Sequence, residues 1–286
     1  MMTARKLKNF FQEEILQQGY VSMKKILLSA LLSFSCATAF AVPQAAPVDP
    51  KFAKVEQLIQ KKDFTAAYKE LESIAKTGDA QALYNLAFLT QAGQGTTADN
   101  KKALQYYQQS SDKGYSVASY ALAKAYQTGE LGVKQDQGKA RQYLEKSSKQ
   151  GYDDATVEYA VQLFSEDKAE SDKLALQKLD PLIKKGNMQA IHAKALYDIS
   201  QGFKSKKVEL VQQGVKSIQG LAQKGYIPAL LAMANMMVKG EIIEQNLPEA
   251  KKIYEALAKQ NVPTAKEAVE AINKMIANKA ANPAKK

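Results

Sequence analysis

Apolar and polar positions follow one another along this chain at helical spacing, and the pattern returns about every 36 residues. The small apolar positions show it best. Ala82, Ala118, Ala155, Ala190, Ala229 and Ala265 form one column, and Ala87, Ala123, Ala160, Ala195 and Ala234 form a second. Each period closes on Gly78, Gly114, Gly151, Gly186 or Gly225, with Asn261 in the last place. A third small column, Ala67, Ala103, Ala140, Ala175 and Ala250, lies 11 residues before the closing position. Four residues before that stand Asp63, Asp99, Asp136, Ser171 and Asn246, side chains whose oxygens can cap a helix. One period therefore reads as helix A, a loop, a capping residue, helix B and a glycine. That glycine takes the left-handed conformation that ends helix B. A fixed period of this size marks stacked supersecondary units. The prediction is an all-α chain, an α-solenoid of antiparallel helix pairs. It has about six units of roughly 36 residues and about thirteen helices. The alanines mark close helix crossings, where a larger side chain would force backbones apart. No run reads as a strand.

The residues between the columns carry a family resemblance. The unit Ala82-x3-Leu86-Ala87, Gly93-x-Gly95, Asp99, Lys102-Ala103, Tyr106-Tyr107 and Gly114 resembles a Sel-one-like repeat. The next unit is closer: Ala118-x3-Leu122-Ala123, Tyr126, Gly129, Gly132-Val133, Asp136, Lys139-Ala140, Tyr143 and Gly151. The resemblance spans residues 51–277, and plain tetratricopeptide repeats are the alternative. Two units depart from the pattern. The unit at Gly151 has Ser165-Glu166-Asp167-Lys168 in place of loop glycines. The unit at Gly186 has Gly214 in the alanine column and Leu210 at the cap.

The ends of the chain read differently. Met23-Lys24-Lys25, the apolar run Ile26 to Phe34 and Ala39-Phe40-Ala41 have the layout of a secretory signal peptide with cleavage after Ala41. The run is too short to span a membrane as a helix. Residues 1–22 are then an upstream extension, 23–41 the signal, 42–50 a linker and 278–286 a disordered basic tail. The expected location is periplasmic or secreted. A lipoprotein anchor at Cys36 is the rival, weakened by Ser33 and Phe34 in the preceding positions. Cys36 is the only cysteine, so cleavage leaves no thiol.

Charge changes the picture little. The chain carries +11, with 40 basic and 29 acidic residues. Removing residues 1–41 takes five basic and two acidic residues and leaves +8. Diffuse positive charge would draw acidic partners or anionic envelope polymers. The lysines are scattered, however, and Arg141 is the one arginine beyond residue 41. Nucleic-acid recognition relies on arginine forks and interleaved aromatics, and neither pattern is present.

Candidate chemistry is sparse. His192 is the only histidine. Met188 stands four residues before it, and Met233, Met236 and Met237 share a helical face. Thioethers can hold Cu(I), but methionines more often fill gaps between packed helices. No nucleophile–base–acid set assembles, and Gly93-Gln94-Gly95 is too short for a phosphate loop. The reading is a non-enzyme with no cofactor and no metal.

In the repeat class that the chain resembles, the A helices line a concave surface. That implies a scaffold binding a protein or peptide in the groove, in envelope assembly or stress. The columns off the alanines place Tyr84, Asn85, Phe88, Tyr120, Lys124, Glu158, Gln162, Tyr197 and Asn235 as candidate partner-binding residues. For Tyr84, Tyr120 and Tyr197, groove and inter-repeat packing both stay open. Two other functions remain. One is weak penicillin binding or β-lactam hydrolysis, implied by cysteine-rich relatives whose cysteines this chain lacks. The other is binding of an anionic envelope polysaccharide.

Overall fold

The computed structural model describes residues 49–281. The expected signal peptide and the upstream extension lie outside these residues, as does the end of the tail. Among the described residues there are thirteen α-helices and no strands. They fall into two compact units, the first ending at Leu163 and the second beginning at Phe164.

The first unit opens with a 3₁₀ turn, Pro50–Phe52, capped by Asp49, so the last two residues of the expected linker already belong to the folded chain. It continues with α1 (Ala53–Gln60), α2 (Phe64–Lys76), α3 (Ala80–Ala92), α4 (Asn100–Asp112), α5 (Ser116–Thr128), α6 (Gln137–Lys149) and α7 (Asp153–Phe164). The second unit holds α8 (Ala169–Lys184), α9 (Met188–Ser205), α10 (Val208–Gln223), α11 (Ile227–Lys239), α12 (Leu247–Lys259) and α13 (Ala265–Ala281). Within each unit, most helices pack on their neighbours in the chain. The helix α13 continues to Ala281, beyond residue 278, where the tail was placed, and Lys279 donates a hydrogen bond to the Gln245 side chain.

Local chemistry accounts for the helix ends. Asp63, Asp99, Asp136 and Asn246 cap α2, α4, α6 and α12, each accepting a backbone N–H three residues on. Gly114, Gly151, Gly186 and Gly225 have φ of 92°, 88°, 77° and 75°. The residue after each returns a hydrogen bond to the carbonyl five residues back, as in Tyr115 N–H to Ser110 O at 3.1 Å. Asn261 takes the same conformation with φ 56°. Gly95 is required for another reason. A Cβ there would come within 2.1 Å of the Phe64 carbonyl oxygen.

All three alanine columns are buried. A fourth buried column, Leu71, Tyr107, Leu144, Leu179, Ile218 and Tyr254 on the B helices, was not singled out in the sequence. It mixes residue types, so composition gave no signal. Polar links join the helices too. Ser110 and Ser147 donate to the carbonyls of Ala80 and Ser116 at 2.6 and 2.7 Å.

The irregular repeats differ in a consistent way. Most helices in the regular repeats have 13 residues, but α8, α9 and α10 have 16, 18 and 16. Without loop glycines the turns shrink, and α8, α9 and α10 run on, while α7 keeps 12 residues. Ser171 is consequently not a cap. It lies inside α8, which starts at Ala169, and its hydroxyl bonds Glu166 at 2.6 Å. Gly214 has a steric cause: a Cβ there would meet the Ala195 carbonyl oxygen at 2.5 Å and Ile199 Cγ1 at 2.6 Å. The pair α9–α10 packs too closely for the column's usual alanine.

Candidate functional site

The nine candidate residues all lie on A helices. Tyr84, Asn85 and Phe88 are on α3, Tyr120 and Lys124 on α5, and Glu158 and Gln162 on α7. Tyr197 is on α9 and Asn235 on α11.

Three of them form one buried network in the first unit. Lys124 Nζ lies 2.6 Å from Glu158 Oε1, with their side chains 4% and 10% exposed. The Tyr120 hydroxyl donates to Glu158 Oε2 at 2.9 Å. The Lys124 ammonium also reaches Gln127 Oε1 at 3.1 Å and stands 5.2 Å from the centre of the Tyr120 ring. Both Glu158 oxygens and the Lys124 cation are thus satisfied internally, as buried charges require. Burial, with the Glu158 carboxylate beside it, pushes the Tyr120 phenol far up. As residues open to a partner, Tyr120, Lys124 and Glu158 are corrected to interior packing. The reason is the alanine columns, which bring successive A helices close enough for a long side chain to reach across.

The aromatic column is a packing device as well. The residue six positions after a closing glycine meets the residue just after the next glycine. Tyr84 meets Tyr115 at 5.3 Å between ring centres, Tyr120 meets Tyr152 at 5.1 Å, and His192 meets Tyr226 at 5.7 Å. The recurrence of Tyr115, Tyr152 and Tyr226 at one register is the sequence signal for this pairing. His192 occupies a tyrosine's place in the column. It is 5% exposed and its Nε2 has no hydrogen-bond partner. Burial lowers its pKa to about 4, so the imidazole stays neutral near pH 7.

The remaining candidates are half-buried. In the second unit the Tyr197 ring stacks on Phe164 at 4.1 Å, and its hydroxyl donates to Asp172 Oδ2 at 3.1 Å. Burial and then the Asp172 carboxylate push this phenol up to about 12. Burial also raises Asp172, whose Oδ1 is buried without a partner. Asn235 accepts the Tyr254 hydroxyl at 2.8 Å. Asn85 and Phe88 on α3 are the candidates with the fewest internal ties among the described residues, although Phe88 packs beside the first core cluster.

The methionines follow the packing reading. Met233 and Met236 are buried at 7% and 4%, and Met237 packs against the last core cluster. Met188 is 42% exposed while His192 is enclosed, so the two do not share an open face. Among the described residues, no group of three His, Cys, Asp or Glu is placed to hold a metal ion. None of the described helices is long and apolar enough to cross a membrane.

Comparison with known proteins agrees with this geometry. Residues 80–115, 116–152 and 227–262 match the family model described as Sel1 repeat. These stretches are the pairs α3–α4, α5–α6 and α11–α12 with their closing turns. Among solved structures, a Sel1 repeat protein from Oxalobacter formigenes aligns with a TM-score of 0.60 at 21% identity, over 78% of this chain and 88% of that one. The structure of c5321, a protective antigen present in uropathogenic Escherichia coli strains displaying an SLR fold, is 19% identical. It aligns with a TM-score of 0.43, over 72% of this chain and 51% of that one. No curated protein matches the sequence.

Proposed function

We propose that this chain, a Sel1-repeat protein, is an exported scaffold that holds a protein or peptide partner along its A helices. Sel1 repeats generally mediate protein binding. The observation that supports the A-helix face is its contrast with the interior. The network of Tyr120, Lys124 and Glu158 is closed, while Asn85 and Phe88 in the adjacent repeat remain half-open. A half-open aromatic beside an amide suits an interface anchor with a polar neighbour. The signal-like pattern from Met23 to Ala41 supports export to the periplasm, with Val42 as the mature N-terminus. The role is structural rather than catalytic, as is typical of the repeat class, and the purified protein should not turn over nitrocefin.

A photo-reactive phenylalanine at Asn85 or Phe88 tests the reading in cells, with exposed Lys101 on helix α4 as the control position. One discrete cross-linked species from positions 85 and 88, absent from 101, is expected. Equal or no cross-linking at all three positions would overturn the A-helix assignment. N-terminal sequencing of the cellular protein tests the export reading, and recovery of residues 1–22 would contradict it.

A further inference from the structure

The aromatic joint between successive repeats occurs three times, and one of the three gains a proton in mild acid. Tyr84 on Tyr115 and Tyr120 on Tyr152 are pairs of phenols, which keep their charge state throughout that range. His192 on Tyr226, at 5.7 Å and 75°, sets an imidazole in the same place. It is the only histidine of the chain. Its Nε2 is buried and has no hydrogen-bond partner among the described residues.

The joint is not built to hold an imidazolium. The charged ring donates from both nitrogens and needs an acceptor or water for each. In the first unit Glu158 supplies an acceptor to Tyr120 at 2.9 Å. Counting from the closing glycines, Ala232 stands where Glu158 stands and Leu196 where Lys124 stands, and both are buried. The titratable group facing His192 is the Tyr226 phenol, just before α11. On α9 itself Lys194 and Asp198 bind each other at 2.6 Å, and on α8 Asp180 holds Lys184 at the same distance. Neither these nor Asp172 of α8, Glu209, Lys216 and Lys224 of α10 and its end, or Lys239 of α11 acts on the imidazole, whose proton affinity is set by burial.

Neighbouring packing decides where the joint gives way. A Cβ at Gly202 would meet Val211 Cγ2 at 2.6 Å, and one at Gly214 the Ala195 oxygen at 2.5 Å, so α9 and α10 are locked closely together. His192 lies on the side of α9 that meets the next repeat. Tyr226 stands at the start of α11 without a side-chain cap, so that start is held by packing. In stacked repeats each interface contributes separately, and a loss at one opens that one first. We infer that His192 is an acid switch in the fold: its protonation opens the interface between the α9–α10 pair and α11 and frees the turn that joins them. The switch goes beyond the scaffold reading and operates with or without a partner. Its sign follows from burial. The closed imidazole has a pKa of about 4 against 6.5 when released, so opening is favoured as pH falls from 6.5 towards 4. Between about pH 7.5 and about pH 5.5 the opening equilibrium rises roughly tenfold.

Hydrogen exchange on the whole protein, corrected for the intrinsic pH dependence of the chemistry, reads this opening. Amides of the α10–α11 turn and the first turns of α11 are expected to lose protection roughly tenfold over that pH interval, while those around Tyr115 and Tyr152 keep theirs. His192→Tyr, which restores the column's usual residue, and His192→Phe are each expected to remove the acid response. No loss, or a loss shared equally by both units, would overturn the switch. So would a loss that persists in a folded variant, the result expected if Asp172 beside Tyr197 were the titrating group. The unaltered protein gives a second reading that needs no substitution, because its single imidazole signal can be followed by NMR. A titration midpoint well below 6.5 is expected, and a midpoint at or above 6.5 would overturn the switch.

Discussion

Gly214 should behave against the usual rule for a glycine inside a helix, and Gly220 in the same helix should obey it. Both lie in α10. Replacing a mid-helix glycine by alanine ordinarily stabilises by about 0.5–1 kcal/mol, because the unfolded chain loses freedom and the helix gains a better former. Nothing lies within 4 Å of a Cβ at Gly220, so Gly220→Ala should gain about that amount. At Gly214 the added Cβ would meet the Ala195 carbonyl oxygen at 2.5 Å and Ile199 Cγ1 at 2.6 Å. Ordinary contact begins near 3.4 Å, so α9 and α10 must part by about 1 Å. The Ile199 side chain can rotate, but the Ala195 oxygen belongs to the backbone and can move only with its helix. Overpacking of this kind costs about 1–3 kcal/mol. Subtracting the propensity gain leaves a net loss of about 0–2.5 kcal/mol for Gly214→Ala, about 1 at the middle of both ranges. Urea melts of the two variants give the answer as midpoint shifts of opposite sign at unchanged slope. Hydrogen exchange in α9 and α10 then localises the loss, which matters because stacked repeats need not unfold as one unit. If Gly214→Ala stabilises as Gly220→Ala does, the close crossing is not the reason for the glycine.

Other outcomes follow from the buried groups. Lys124→Met should cost about 3–5 kcal/mol by stranding Glu158, and adding Glu158→Gln should recover most of it while keeping an acceptor for Tyr120. A double mutant as unstable as the single one would mean that packing, not charge, is lost. His192 has a folded pKa lowered from 6.5 to about 4, so its contribution is complete above pH 6.5 and is lost as pH falls from there through 4. The loss should reach about 3 kcal/mol, and His192→Phe should flatten that part of the melting-temperature profile. Ala123→Leu, at a position 3% exposed, should cost about 1–3 kcal/mol in a denaturant melt, and a neutral result would remove this column from the interface.

The repeat architecture was legible in the sequence because its determinants are local or strictly periodic. A closing glycine, a capping oxygen three residues before the amide it binds and an alanine in register each report one backbone requirement. Asp63, Asp99, Asp136 and Asn246 show this directly, since side-chain and backbone partners lie within one turn. Ser171 shows where the rule ends. It has the right chemistry for a cap, but without loop glycines the helix began earlier and passed it by.

Burial of the candidate site was decided elsewhere. Tyr120 and Glu158 are 38 residues apart, and Lys124 and Glu158 are 34 apart. Whether such residues face solvent or each other depends on the separation and rotation of successive helices. Side-chain packing across the repeat interface sets that geometry, and no local pattern encodes it. From the sequence alone, Tyr84 and Tyr120 were equivalent aromatics in one column. Only the tertiary structure, by seating Glu158 against the Tyr120 hydroxyl, made Tyr120 part of a closed core, while Tyr84 stays half-buried against Tyr107 and Tyr115.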